Sequence, residues 1–162
     1  VRNIVVKLRR LPRRKKDVIS VSRTNPLAYA YSVKEHLSKK SEVPAIIMYD
    51  GIQLPDEKPF ITVKIMPGQN DFITKQRDAV LSVYRYEVGI YATSLWNRSE
   101  LQQDVRLAFM YDKFPLLDMV GKDTGKTFMV DGSFTEVPID NDDLTNETNN
   151  HRVFFDILIQ TT

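Results

Sequence analysis

The chain reads as an α+β fold, a mainly antiparallel β-sheet with two helices packed on one face, preceded by a basic N-terminal arm. Three stretches predict it. Residues 79–93 alternate, with Val80, Tyr84, Tyr86, Val88 and Ile90 to one side and Leu81, Val83, Arg85, Glu87 and Tyr91 to the other. That period of two marks a long strand, and apolar residues on both faces place it inside the sheet. Residues 99–112 then change period. Leu101, Val105, Ala108 and Phe109 form the stripe of an amphipathic helix that packs back on the sheet. The closing run, His151 to Gln160, alternates again, with Val153, Phe155, Ile157 and Ile159 inward.

The remaining elements follow in order. Ile4 to Val6 reads as a short edge strand ahead of a basic run broken by Pro12. Asn25 and Pro26 suit an N-cap and first helical position. Leu27 to Lys40 then predicts a helix with Leu27, Ala30, Tyr31 and Leu37 inward and Lys39 and Lys40 in its last turn. Pro44–Tyr49 and Pro59–Met66 predict strands, and residues 67–78 a loop. In the second helix Ser99 and Gln102 predict a capping box, with Trp96 in the turn before it and Glu100, Gln102, Gln103, Asp104 and Arg106 on the wet face. Residues 115–120 are extended, and Asp131-Gly132 predicts a hairpin across 126–139. Residues 140–150, acidic and asparagine-rich, predict an exposed loop.

Composition narrows the function. With 162 residues, the expected organisation is an arm, 1–16, and a single α+β domain, 17–162. No apolar run approaches the length of a membrane span, so no membrane contact is expected, and no apolar segment follows the basic start as a secretory signal requires. With no cysteine, disulfides and thiolate metal sites are excluded, which fits a reducing compartment. The two histidines, His36 and His151, leave little for a metal centre or a histidine base. Charge is uneven. Residues 1–16 hold eight Lys/Arg and no acid, while the rest holds 15 basic and 21 acidic residues, a balance of −6.

Motifs for chemistry fail on inspection. Gly121 to Thr127 resembles a P-loop but has three residues where four must separate its first glycine from the Gly-Lys pair. Residues after Thr127 read as strand, whereas phosphate binding there needs a helix N-terminus. Asp140, Asp142 and Asp143 invite a calcium reading, but the turn glycine and the spacing of a calcium loop are missing. No catalytic, cofactor-binding or metal-ligating residues are assigned. The candidate contact residues are the arm cations Arg9, Arg10, Arg13, Arg14, Lys15 and Lys16, expected to meet negative charge, and Asp140, Asp142 and Asp143 as an acidic loop between subunits.

The order helix, three strands, helix, further strands and a terminal strand, carried by PFITVKIMP, YRYEVGIYA, SELQQDVRLAF and HRVFFDILI, is similar to the tail terminator and tail completion proteins of long-tailed bacteriophages. The resemblance spans roughly residues 26–160 and is one of layout. The basic arm and the acidic loop depart from it. It implies a structural protein without catalysis or cofactor, forming a hexameric ring at the head-proximal end of the tail. Such a ring stops tube polymerisation and joins the tail tube protein to the head connector or stopper, in a virion neck assembled in the host cytoplasm. Three alternatives remain open: another connector ring protein, a basic-armed module making non-specific DNA contacts, and, least favoured, a small enzyme.

Overall fold

The computed structural model describes residues 25–72, 75, 80–139 and 151–161. Two helices, α1 (Pro26–Ser41) and α2 (Leu95–Tyr111), accompany seven strands. These are β1 (Ala45–Met48), β2 (Phe60–Phe72), β3 (Val80–Tyr91), β4 (Phe114–Leu117), β5 (Asp123–Phe128), β6 (Thr135–Ile139) and β7 (Arg152–Thr161). The main sheet has the order β1-β2-β3-β7-β6, and β4 pairs with β5 in a separate ribbon. Only β1 and β2 run parallel; the other pairs are antiparallel. This is the α+β architecture that the sequence predicts, with β3 as the middle strand.

Register explains the core. Ile61 faces Ile90, which faces Val153; Val63 faces Val88, which faces Phe155; Tyr86 faces Ile157. Cross-strand partners share a face, so these residues form one apolar floor. α1 packs on β1 and β2, and α2 on β3 and β7. Ala30, Val33 and Leu37 of α1 and Leu101, Val105, Ala108 and Phe109 of α2 complete one buried cluster with that floor. The far face is polar around Lys64, Arg85, Glu87 and Asp156, and the Arg85 guanidinium grips the Asp156 carboxylate. At one end of that face Phe60 stacks on Tyr91, ring centroids 4.6 Å apart, and Phe154 lies edge-on to Tyr91.

Gly89 is required by this packing. A Cβ there would sit 2.5 Å from Thr62 Oγ1 and 2.8 Å from the Phe154 ring, whose residue is its cross-strand partner. The aromatic ring covers the glycine and fills the space a side chain would take.

Several local expectations are corrected. β2 does not stop at Met66 but continues to Phe72, so residues 67–72 of the expected 67–78 loop are strand. The register shifts between Met66 and Gln69, a bulge that takes Pro67 out of the ladder. At Gly68 a Cβ would stand 2.7 Å from the Val83 carbonyl oxygen, so the strands can approach there only with glycine. The 126–139 hairpin does not form, because β5 pairs back with β4 and β6 pairs with β7. Gly132 lacks the positive φ of a tight hairpin turn. Instead Asp131 N–H donates to the Leu158 carbonyl at 2.8 Å and its carboxylate accepts from Gln160, tying the crossover to β7.

Helix boundaries shift too. α2 begins a turn earlier than the predicted 99–112, capped by Ser94 and not Ser99: Ser94 Oγ accepts from Asn97 N–H at 3.1 Å. Asn97 Oδ1 returns the favour to Thr93 N–H, so this local cap outcompetes the one at Ser99. In α1 the Asn25 cap is as expected, accepting from Ala28 N–H at 3.0 Å. Its inward face is not, since Leu27 is exposed and Tyr31 half-buried while Ala28, Ser32 and Val33 are buried. α1 is covered by the sheet and by β4 as well. Its buried arc is therefore roughly 200° wide, centred opposite Leu27. Ser32 lets β4 approach: its hydroxyl donates to Ala28 O and accepts from Leu117 N–H at 2.9 Å.

Two stability tests follow. Val105→Asp buries an unpaired charge and abolishes the cooperative melt. Gly89→Ala lowers stability by about 1–3 kcal/mol, and Phe154→Leu in the same chain recovers part of that loss in the same thermal unfolding measurement.

Candidate interaction surface

With β-strands beneath it, α2 shows its opposite side to solvent. Leu101, Val105, Ala108 and Phe109 fix the buried side. At 100° per residue, Trp96, Leu107 and Met110 then fall within roughly 60° of one another on the outer side. Trp96 is 78% exposed, and Met110 and Tyr111 are exposed as well. Beside Trp96, Ser99, Glu100, Gln103 and Asp104 line an open groove of about 510 Å³. No cation lines this groove, and neither carboxylate has a side-chain partner among the described residues.

Two polar clusters hold α2 in place. Glu136 of β6 accepts from Arg106 Nε at 2.7 Å, from its Nη2 at 2.8 Å, and from Gln102. Gln102 and Arg106, expected on the wet face, are thus partly covered by β6. The Arg106 hydrogen bonds hold the Glu136 carboxyl below its ordinary range, against the upward push of burial. At the other end, Asp112 Oδ2 meets His36 Nε2 at 2.8 Å and Lys40 Nζ at 2.7 Å. Burial pushes the Asp112 carboxyl up, but hydrogen bonds and charge from Lys40 and His36 reverse this and leave it lowered. The His36 ring also packs on Phe114, centroids 4.4 Å apart. His36 is therefore a joint between the two helices.

The β4–β5 turn is the second prominent feature. Asp118 Oδ1 accepts from Val120 N–H at 2.9 Å and from Lys122 N–H at 3.0 Å, and Gly121 N–H closes on Asp118 O. Gly121 takes φ +82°, which favours glycine. The turn thereby holds Val120 outward at 75% exposure, while Met119 Sδ accepts from Asn25 Nδ2 at 2.6 Å at the start of α1. Residues 123–128, within the P-loop-like run, are strand. Below the turn, Tyr31, Glu35 and Lys39 of α1 face Leu117 and Asp123 across a hollow of about 540 Å³.

The predicted contact residues Arg9, Arg10, Arg13, Arg14, Lys15 and Lys16, with the Ile4–Val6 strand, lie outside the described residues, as do Asp140, Asp142 and Asp143. Residues 140–150 lie between Ile139 and His151, and Ile139 pairs with Arg152. Ala92 N–H donates to His151 O, close to where α2 begins. The described chain starts at Asn25, and Pro26 O accepts from the Tyr86 hydroxyl at 2.7 Å.

Among the described residues no group of three His, Asp or Glu is placed to hold a metal, and no helix is long and apolar enough to cross a membrane. No protein-family model matches the chain, and no curated protein matches it.

The lowered carboxyls give a pH test. A depressed folded-state value adds stability above the unfolded value and loses it as pH falls through the folded one. The Glu136 contribution is complete above about pH 5 and declines below about pH 4.3. In Glu136→Gln, chemical denaturation at pH 7 shows a loss of about 1 kcal/mol, and the acid slope below pH 4.3 becomes shallower.

Proposed function

We propose that this chain is a ring-forming structural protein of a long-tailed bacteriophage, acting at the head-proximal end of the tail as a terminator or neck ring. In this role it ends tail tube polymerisation and joins the tube to the head connector. It works in the virion neck after assembly in the host cytoplasm, without catalysis or cofactor. The observation that carries the reading is the outer side of α2. The helix already buries a complete apolar face, yet it carries Trp96, Leu107 and Met110 on the other. Exposed apolar side chains along one side of a helix, with a tryptophan at one end, suit burial against another protein. The order of elements also agrees with the tail terminator resemblance, from α1 through β1–β3 and α2 to the closing strand β7.

Charge supports head-to-tail contact. A ring uses two different surfaces that close under rotation. The arm is strongly basic and the 140–150 loop acidic, so in a ring each arm would meet its neighbour's loop with opposite charge. The same arm supports a second reading, a DNA-binding module, because its eight cations would release counterions from a phosphate backbone.

Deleting residues 1–16 tests both. The ring reading expects an unchanged thermal melt of the body and an assembly weaker than the full chain's at low salt, the difference shrinking as added salt screens the arm. Negative-stain images of the full chain should show closed six-fold rings. A small species that shifts DNA, and loses this on deletion, contradicts the ring and favours the module.

A further inference from the structure

We propose that the α2 groove is the socket for the β4–β5 turn of a second copy of this chain, with Val120 and Met119 seated against Trp96 and Lys122 and Lys126 facing Glu100 and Asp104. The inference rests on the ring reading and names its interface.

Both halves are present on one chain and they match. The groove offers an exposed indole with two carboxylates beside it and no cation in its lining. The turn offers Val120, with the part of Met119 left exposed beside it once Asn25 holds its sulfur, followed by Lys122 and Lys126, both exposed. Neither lysine has a side-chain partner among the described residues. The carboxylates of the turn accept from its own backbone, Asp118 from Val120 and Lys122 N–H and Asp123 from Gly125 N–H at 2.8 Å, and they balance the two lysines in net charge. What the tip offers the groove is therefore apolar surface and two lysines without side-chain partners, against two carboxylates likewise without one. Lysine–carboxylate pairs set register, and the tryptophan supplies the desolvated anchor.

Rigidity favours the same assignment. The tip is a closed turn fixed by Asp118 and Gly121, so little conformational entropy is lost when it docks. The socket lies on a helix held near its middle by the Glu136 cluster and at its C-terminal end by the Asp112 cluster. Knob and socket belong to different elements, α2 being packed on the sheet and β4 on α1. A contact of unlike surfaces is heterologous, and such contacts propagate to a ring when the rotation closes.

Charge reversal tests it. One variant carries Glu100→Lys and Asp104→Lys; the other carries Lys122→Glu and Lys126→Glu. All four positions lie outside the hydrophobic core, so both variants keep the wild-type melt. Each alone loses the assembly seen for wild type by light scattering, and an equimolar mixture restores it, because every tip then finds an opposite groove. Trp96→Ala weakens association about thirtyfold or more. Assembly of wild-type mass in every variant overturns the socket while leaving the ring reading intact. A wild-type chain that stays monomeric overturns both. Variants that dissociate but fail to recover on mixing also overturn the pairing of tip with groove.

Discussion

β3 is hydrogen-bonded along both edges, to β2 and to β7, and the position of every other element depends on that register. A slip of one residue would turn Tyr86, Val88 and Ile90 from the helices to the far face and leave Arg85 and Glu87 beneath them. Three features oppose the slip. Phe154 covers Gly89 at one row, Arg85 grips Asp156 at another, and the bulge at Met66–Gln69 fixes where β2 bends. Since the floor is fixed, α2 has one way to bury Leu101, Val105, Ala108 and Phe109, and its other side must face outward.

Much of this architecture is legible in the sequence, and the failures have physical causes. β7 reads cleanly because it has one buried face and a strict alternation, and β3 because its period of two persists although Gly89 and Tyr91 are buried on its far face. The C-terminal half of α2 reads equally well, its stripe being one-sided. α1 was misjudged because β4 covers a flank that a two-layer picture leaves to solvent, and no local signal reports a ribbon 80 residues away. β2 beyond Pro67 was lost because proline and glycine ordinarily end a strand, and a bulge is defined only by the partner strand. Asp131-Gly132 has the chemistry of a hairpin, but the long-range bond to Leu158 decides its conformation.

The exposed outer side of α2 is legible only with Ser94 as the cap. With Ser99 as N-cap, Trp96 falls in a turn and the outer stripe has no first member. The signal was available in Ser94 and Asn97, a serine followed three residues later by a side chain able to reach back. The β4–β5 turn was noticed for its likeness to a phosphate loop, although Asp118 and Gly121 at the first and fourth positions already fit a tight type I turn. Residue types therefore suffice for the knob, whereas the groove needs the helix in place. Together with them stand a well-packed core, a helix with Trp96, Leu107 and Met110 exposed on its outer side, and charge distributed unevenly along the chain.

The central claim is that this surface exists to meet other copies of the chain. The native mass in solution, measured by light scattering coupled to size exclusion at near-physiological salt, addresses it most directly. The account predicts a closed species of six times the 18.8 kDa chain mass. A species of 18.8 kDa across the accessible concentration range would contradict it.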